Sequence, residues 1–109
     1  MLDADIAEMQ GKVAEVSSTL RLLGNEKRLL VLCRLAMAGE MSVGALAEAV
    51  GLSQSALSQH LAKLRADDLV ATRREAQVLH YRIRDPRVGR LLEALYGIYC
   101  AAPEGGSGS

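Results

Sequence analysis

One stretch constrains the fold of this chain more than any other: Leu46-Ala47-Glu48-Ala49-Val50-Gly51-Leu52-Ser53-Gln54-Ser55-Ala56-Leu57-Ser58-Gln59-His60-Leu61. Ala47 is small enough to stand where two helices cross. Gly51 tolerates the positive φ that a tight turn between them requires. Ser53 suits the N-cap of the second helix, which the spacing places near 54–67, with Leu57, Leu61 and Leu64 at i, i+4 and i+7 as its anchors to a core. The other face carries Gln54, Ser55, Ser58, Gln59 and Lys63; His60 either joins them or packs within the fold. These side chains have the hydrogen-bonding groups and the reach to read base edges in a DNA major groove. Spacing, turn and surface chemistry together describe a helix-turn-helix.

The remaining chain supplies a frame for that unit. At 109 residues it makes one small domain, and Leu (18) with Ala (16) in the absence of Phe and Trp favours a mostly helical one. Ile6, Met9, Val13, Val16, Leu20 and Leu23 step 3-4-3-4-3, a heptad seam that predicts a first helix near 3–23. Gly24 breaks it, Asn25 can cap a second helix near 26–38, and Ser42 a third over 43–50. Two β-compatible runs, Leu69–Arg74 and Val78–Ile83, flank Glu75-Ala76-Gln77 and predict a hairpin. Asp85, with Pro86 at the first helical position, can cap a last helix whose apolar face holds Val88, Leu91, Leu92, Leu95, Ile98 and Tyr99. The expectation is a mainly α, five-helix winged helix-turn-helix with a β-hairpin wing over 1–102. A Gly/Ser-rich tail follows over 103–109 and is expected to be flexible. So small a domain gains from forming a dimer.

The zero net charge hides an asymmetry. Residues 1–50 hold 5 basic and 7 acidic side chains, whereas residues 60–90 hold 8 basic and 4 acidic ones. The basic half begins at the proposed recognition helix and is almost all Arg, which suits bidentate phosphate contacts. Binding to a polyanion responds to this local field rather than to the total. Arg73 and Arg74, at the hairpin, are the best placed to meet phosphates beside the recognition helix.

The chain opens on an acidic, not a basic, segment and has no apolar run of the length that spans a membrane, so a cytoplasmic protein is expected, with no membrane partner. The only His are His60 and His80, both in the DNA-binding parts, which leaves no clustered Zn ligands and no base beside a Cys nucleophile. Neither a metal, a cofactor nor catalysis is expected. Cys33 and Cys100 remain. By composition they are ordinary core thiols, and a permanent disulfide is not expected in a reducing compartment.

Gly24-Asn25-Glu26-Lys27-Arg28-Leu29-Leu30-Val31-Leu32, then Leu52 to Leu61, then Arg73-Arg74 resemble the ArsR/SmtB family of small dimeric bacterial repressors, over about residues 15–100. The resemblance implies a homodimer built on the first and last helices and bound to double-stranded operator DNA. Metal-sensing members carry a Cys pair on the third helix or Asp and His ligands on the last. Here Ser42–Glu48 has no Cys, and the last helix has no His. Leu30-Val31-Leu32-Cys33 and Tyr99-Cys100 are similar to the persulfide-sensing, SqrR/BigR-like subgroup. That resemblance implies that Cys33 and Cys100 become linked through sulfur when reactive sulfur species accumulate, and that the linkage weakens operator binding. Two alternatives stay open: a general thiol-redox sensor using the same cysteines, and a repressor with inert structural cysteines.

Overall fold

The structure is a computed structural model and describes residues 3–100; the tail expected over 103–109 lies outside the described residues. In chain order the elements are α1 (Asp3–Gln10), α2 (Val13–Leu23), α3 (Glu26–Ala38), β1 (Met41–Ser42), α4 (Val43–Val50), α5 (Gln54–Ala66), β2 (Val70–Glu75), β3 (Val78–Ile83) and α6 (Pro86–Tyr99). The strands form one antiparallel sheet in the order β1-β3-β2. This is a winged helix-turn-helix, with six helices rather than the five expected.

The extra helix comes from a break in the first one. The apolar seam of 6–23 runs along two helices, because the chain turns at Gly11 and Lys12, where the Lys12 N–H donates to the Met9 carbonyl at 2.9 Å instead of one residue further back. Glycine costs about 1 kcal/mol inside a helix, and α1 buries no side chain whose packing would offset it.

α3 is the central element and packs on α2, α4, α5, α6 and β3. Its N-terminus is closed by Asn25 Oδ1, which accepts from the N–H groups of Lys27 (2.9 Å) and Arg28 (3.1 Å). Val31, Leu32 and Leu35 are buried at the middle of a core completed by Leu46, Val50, Leu57, Leu61, Leu64, Leu69, Val70, Val88 and Leu92. The α4–α5 unit is built as its sequence suggests. Ser42 Oγ caps α4 on the Ala45 N–H (3.2 Å), and Ser53 Oγ caps α5 on the Ala56 N–H (3.1 Å). Between them Gly51 takes φ 71°, which turns the chain through the left-handed region at little steric cost. Ala47 is buried near the crossing.

The wing differs in detail. Glu75 belongs to β2 and pairs with Val78, so the turn is only Ala76 and Gln77, and Ala76 is held at φ 55°. A third strand, β1, pairs Met41 with Tyr81 and Ser42 with His80. Side chains alternate across the sheet, so Arg73 shares a face with its pairing partner His80, and Arg74 takes the opposite face with Leu79. Beyond the sheet, Asp85 Oδ1 accepts from the Arg87 N–H (2.9 Å) and starts α6 on Pro86.

Candidate DNA-binding face and thiol pair

α5 is sharply divided. Leu57, Leu61 and Leu64 are fully buried, and each lies on the core side of the helix. Gln54, Ser55, Ser58, Gln59 and Lys63 are exposed together on the outer side, and His60 is half-buried at its shoulder. The hydroxyls of Ser53 and Ser55 lie 3.4 Å apart, so the side chain at the second helical position is drawn towards the cap. Five exposed polar side chains on one helix, with its N-terminus held by a serine cap and its back fixed by three leucines, form a rigid hydrogen-bonding surface of the kind that enters a major groove.

The wing carries its two arginines in different states. Arg73 is clamped by Glu40, which precedes β1: its NH2 group donates to Oε1 at 2.7 Å and its Nε to Oε2 at 3.2 Å, a bidentate pair, and Glu75 lies 3.4 Å away. That hydrogen-bonded guanidinium holds the Glu40 carboxyl below the usual carboxylate range, and Glu40 in return raises the Arg73 pKa. Arg74 is exposed on the other face and forms no ion pair among the described residues. Of the two, only Arg74 presents an uncommitted charge. A second clamp sits at the far end of the sheet, where Arg87 joins Asp85 (2.8 Å) and Glu15 (2.8 Å) and so ties α2 to the start of α6. The carboxyls of both partners are pulled down by the Arg87 hydrogen bonds.

The two cysteines, 67 positions apart in the sequence, lie on the neighbouring helices α3 and α6. Cys33 is half-buried on α3 and packs against the core; Cys100 is exposed at the C-cap of α6, its N–H donating to the Tyr96 carbonyl at 2.8 Å. Both are free thiols. Burial pushes the Cys33 thiol up, and nearby Cys100 adds to that in the same direction. Cys33 also lines a groove between α3 and α6, together with Ala36, Met37, Leu92, Glu93 and Tyr96. Among the described residues no group of three or more His, Cys, Asp and Glu could hold a metal ion, and no helix is long and apolar enough to cross a membrane.

Known proteins resemble this chain in sequence and fold. Residues 25–72, which run from the cap of α3 into the wing, match the family model of bacterial regulatory proteins, arsR family. The transcriptional activator HlyU of Vibrio cholerae is 45% identical over 98 residues, covering 90% of each chain. The chain belongs to the arsR family. It is accordingly a DNA-binding transcriptional regulator, and the arsR fold extends over nearly all of it. The structure of reduced HlyU from Vibrio cholerae superposes with a TM-score of 0.80 at 46% identity, over 86% of this chain and 98% of that one. The transcriptional repressor BigR from Xylella fastidiosa gives a TM-score of 0.82 at 38% identity, over 93% and 99%. A homodimeric winged helix-turn-helix DNA-binding domain of a possible ArsR-family regulator from Mycobacterium bovis gives 0.70 at 32%, over 90% and 86%.

Within this arsR fold the sequence reading missed Glu40, the partner of Arg73, and Glu15, the distant partner of Arg87. Glu40 is 33 residues from Arg73, and Glu15 is 72 from Arg87. Only the folded sheet and the α2–α6 contact bring them together, so no local pattern points to either.

Proposed function

We propose that the chain is a homodimeric repressor that holds an operator while Cys33 and Cys100 are thiols and releases it when a sulfur bridge joins them. The observation that carries this reading is that α6 packs on α3 with Cys33 in the groove between them and Cys100 at the C-cap of α6, near enough to oppose the ionisation of Cys33. A bridge there links the helix that supports α5 to the helix that leaves the wing. In such a dimer, two recognition helices must sit about one DNA turn (~34 Å) apart to read a palindrome. A change in the α3–α6 angle therefore alters operator affinity without touching the recognition surface.

Support for the dimer is the apolar strip left in the open on the single chain. Ile6, Met9, Val13, Val16 and Leu20 on α1 and α2, and Ile98 and Tyr99 on α6, are exposed, Ile98 and Tyr99 by 74% and 80%. A surface of that kind marks an interaction site, and a relative with this fold is a homodimer. Gln54, Ser55, Ser58, Gln59 and His60 are assigned to base edges, and Lys63 and Arg74 to phosphates; Arg73 reaches a phosphate only by leaving Glu40.

In the bridging chemistry the two thiols lose two protons and two electrons. One sulfane sulfur of a persulfide or polysulfide takes these up and leaves as hydrogen sulfide, and any further sulfane sulfurs remain between Cys33 and Cys100. The test is peptide mass spectrometry of the reduced protein after treatment with a persulfide donor or with peroxide, alongside binding to operator DNA. A Cys33–Cys100 product containing extra sulfur, made by the persulfide alone and accompanied by weaker DNA binding, is the expected result. A plain disulfide from either reagent makes the protein a general thiol switch, and no linkage makes the cysteines structural.

A further inference from the structure

The groove beside Cys33 is lined largely by apolar side chains. Ala36 and Met37 from α3 and Leu92 and Tyr96 from α6 form its walls, and Cys33 is set in one of them. Its single charged lining residue is Glu93, which is exposed. Arg90 and Arg82 line an adjoining groove, which shares Ala36 and Glu93 with this one, and neither arginine lines the groove beside Cys33. Arg34, the neighbour of Cys33 on α3, is exposed and is not part of the lining. Met37 stands 82% exposed one turn beyond Cys33, an unusual position for a large apolar side chain on a small domain.

Resting on the sensing role proposed above, we infer that this groove is the seat for the organic part of the sulfur donor, and that it selects uncharged, apolar donors over anionic ones. In the first step the Cys33 thiol loses its proton to solvent, and its sulfur attacks the outer sulfur of R–S–SH. The Cys33–S bond to that sulfur forms, the R–S bond to it breaks, and R–S⁻ leaves and takes up a proton. Attack in line places R–S opposite Cys33, along the apolar walls. An alkyl or aryl R gains by covering Ala36, Met37, Leu92 and Tyr96. An R carrying carboxylates meets Glu93, the one charged residue that lines this groove. A thiol whose ionisation is already opposed by burial reacts slowly with whatever does not dwell beside it, so residence in the groove sets the choice of donor.

Methanethiosulfonates test this without invoking sulfane chemistry. The thiolate attacks their alkylthio sulfur, the sulfur–sulfonyl bond breaks, methanesulfinate leaves, and the alkylthio group stays on the cysteine as a mixed disulfide. In a Cys100→Ser chain Cys33 is the only thiol. Its rates with methyl, n-butyl, sulfonatoethyl and trimethylammonioethyl reagents are measured in the folded chain and in urea. Relative to urea, half-covering three methylenes predicts a gain of about eightfold for butyl over methyl. One carboxylate predicts about a fourfold loss for the anion against the cation at low salt. Ala36→Leu, at an exposed helical position, fills the groove and is expected to remove the butyl preference; Glu93→Gln is expected to remove the charge preference. Folded and unfolded ratios that agree overturn the inference, and so does an anionic reagent that is favoured on folding. Should Ala36→Leu lose its fold by circular dichroism, the wild-type series and Glu93→Gln still decide. The intact protein is then treated with butyl persulfide and with glutathione persulfide. Both groove preferences with no sulfur bridge from either donor keep the groove and overturn the sensing role. Bridging at equal rates, with no preference in the first assay, keeps the sensing role and overturns the groove.

Discussion

Glu40→Gln is expected to tighten DNA binding and steepen its salt dependence. The reasoning starts from the bidentate pair at 2.7 and 3.2 Å, which commits the Arg73 guanidinium to Glu40 in the free protein. A glutamine keeps the shape but not the charge, so Arg73 keeps only the longer contact to exposed Glu75 at 3.4 Å and becomes available to a phosphate. Each phosphate neutralised contributes about 0.9 to the slope of log K against log salt. A dimer carries two copies, so the slope should steepen by up to about 1.8; between about 50 and 200 mM salt that is roughly a twelvefold larger loss of affinity. Arg74→Ala, which removes an unpaired charge, should flatten the slope by about the same amount, and Arg73→Ala by much less. Because the term is independent of sequence, fluorescence anisotropy with an arbitrary labelled duplex at several salt concentrations suffices. The carboxyl of Glu40 is held below its ordinary range, so the pair persists at neutral and mildly acid pH. It opens only as pH falls through that lowered value, where the wild-type slope should approach that of Glu40→Gln. A Glu40→Gln protein with unchanged slope, or an Arg73→Ala protein that loses as much as Arg74→Ala, would refute the idea that Glu40 restrains the wing.

Three further outcomes are expected. Leu57→Ala opens a cavity under α5 at a fully buried site and should cost about 2–5 kcal/mol in urea denaturation. Ala76→Gly should stabilise the hairpin by about 0.5 kcal/mol: relief of a left-handed Cβ at φ 55°, roughly 1–2 kcal/mol, exceeds the extra chain entropy of glycine. This should appear as a small rise in Tm. The Asp85 carboxyl is lowered first by the side-chain hydrogen bond from Arg87, so its contribution is present above the ordinary carboxylate range and lost as pH falls through the folded value. Asp85→Asn retains a capping oxygen and loses the charge, so its stability should fall less than that of the wild type between neutral and strongly acid pH in thermal melts.

What was legible in the sequence follows the range of the forces involved. Helix caps are local: Asn25, Ser42, Ser53 and Asp85 each bond an N–H two or three residues away, and each was found from its position before an apolar run. The left-handed turn at Gly51 and the leucine spacing of α5 are equally local. The division of α5 into a polar and an apolar face follows from those two features alone. The break at Gly11–Lys12 was masked because the heptad seam continues across it; periodicity records which side faces inward, not whether the backbone bonds are unbroken. β1 was invisible because two residues have no period, and Met41 and Ser42 become a strand only through Tyr81 and His80, about 40 positions later. The same distance hid Glu40. Arg73 and Arg74 are identical in the sequence, yet the strand sends them to opposite faces, and a carboxylate 33 positions upstream takes hold of one of them. Residue type points to the wing arginines; only the pairing register says which of the two is uncommitted. The thiols obey the same rule. Their types marked them, but that Cys33 is half-buried, opens on an apolar groove and has Cys100 for a neighbour is a property of how α6 returns to α3. In the proposed sensing role, the packing of those two helices sets what the thiol pair can respond to.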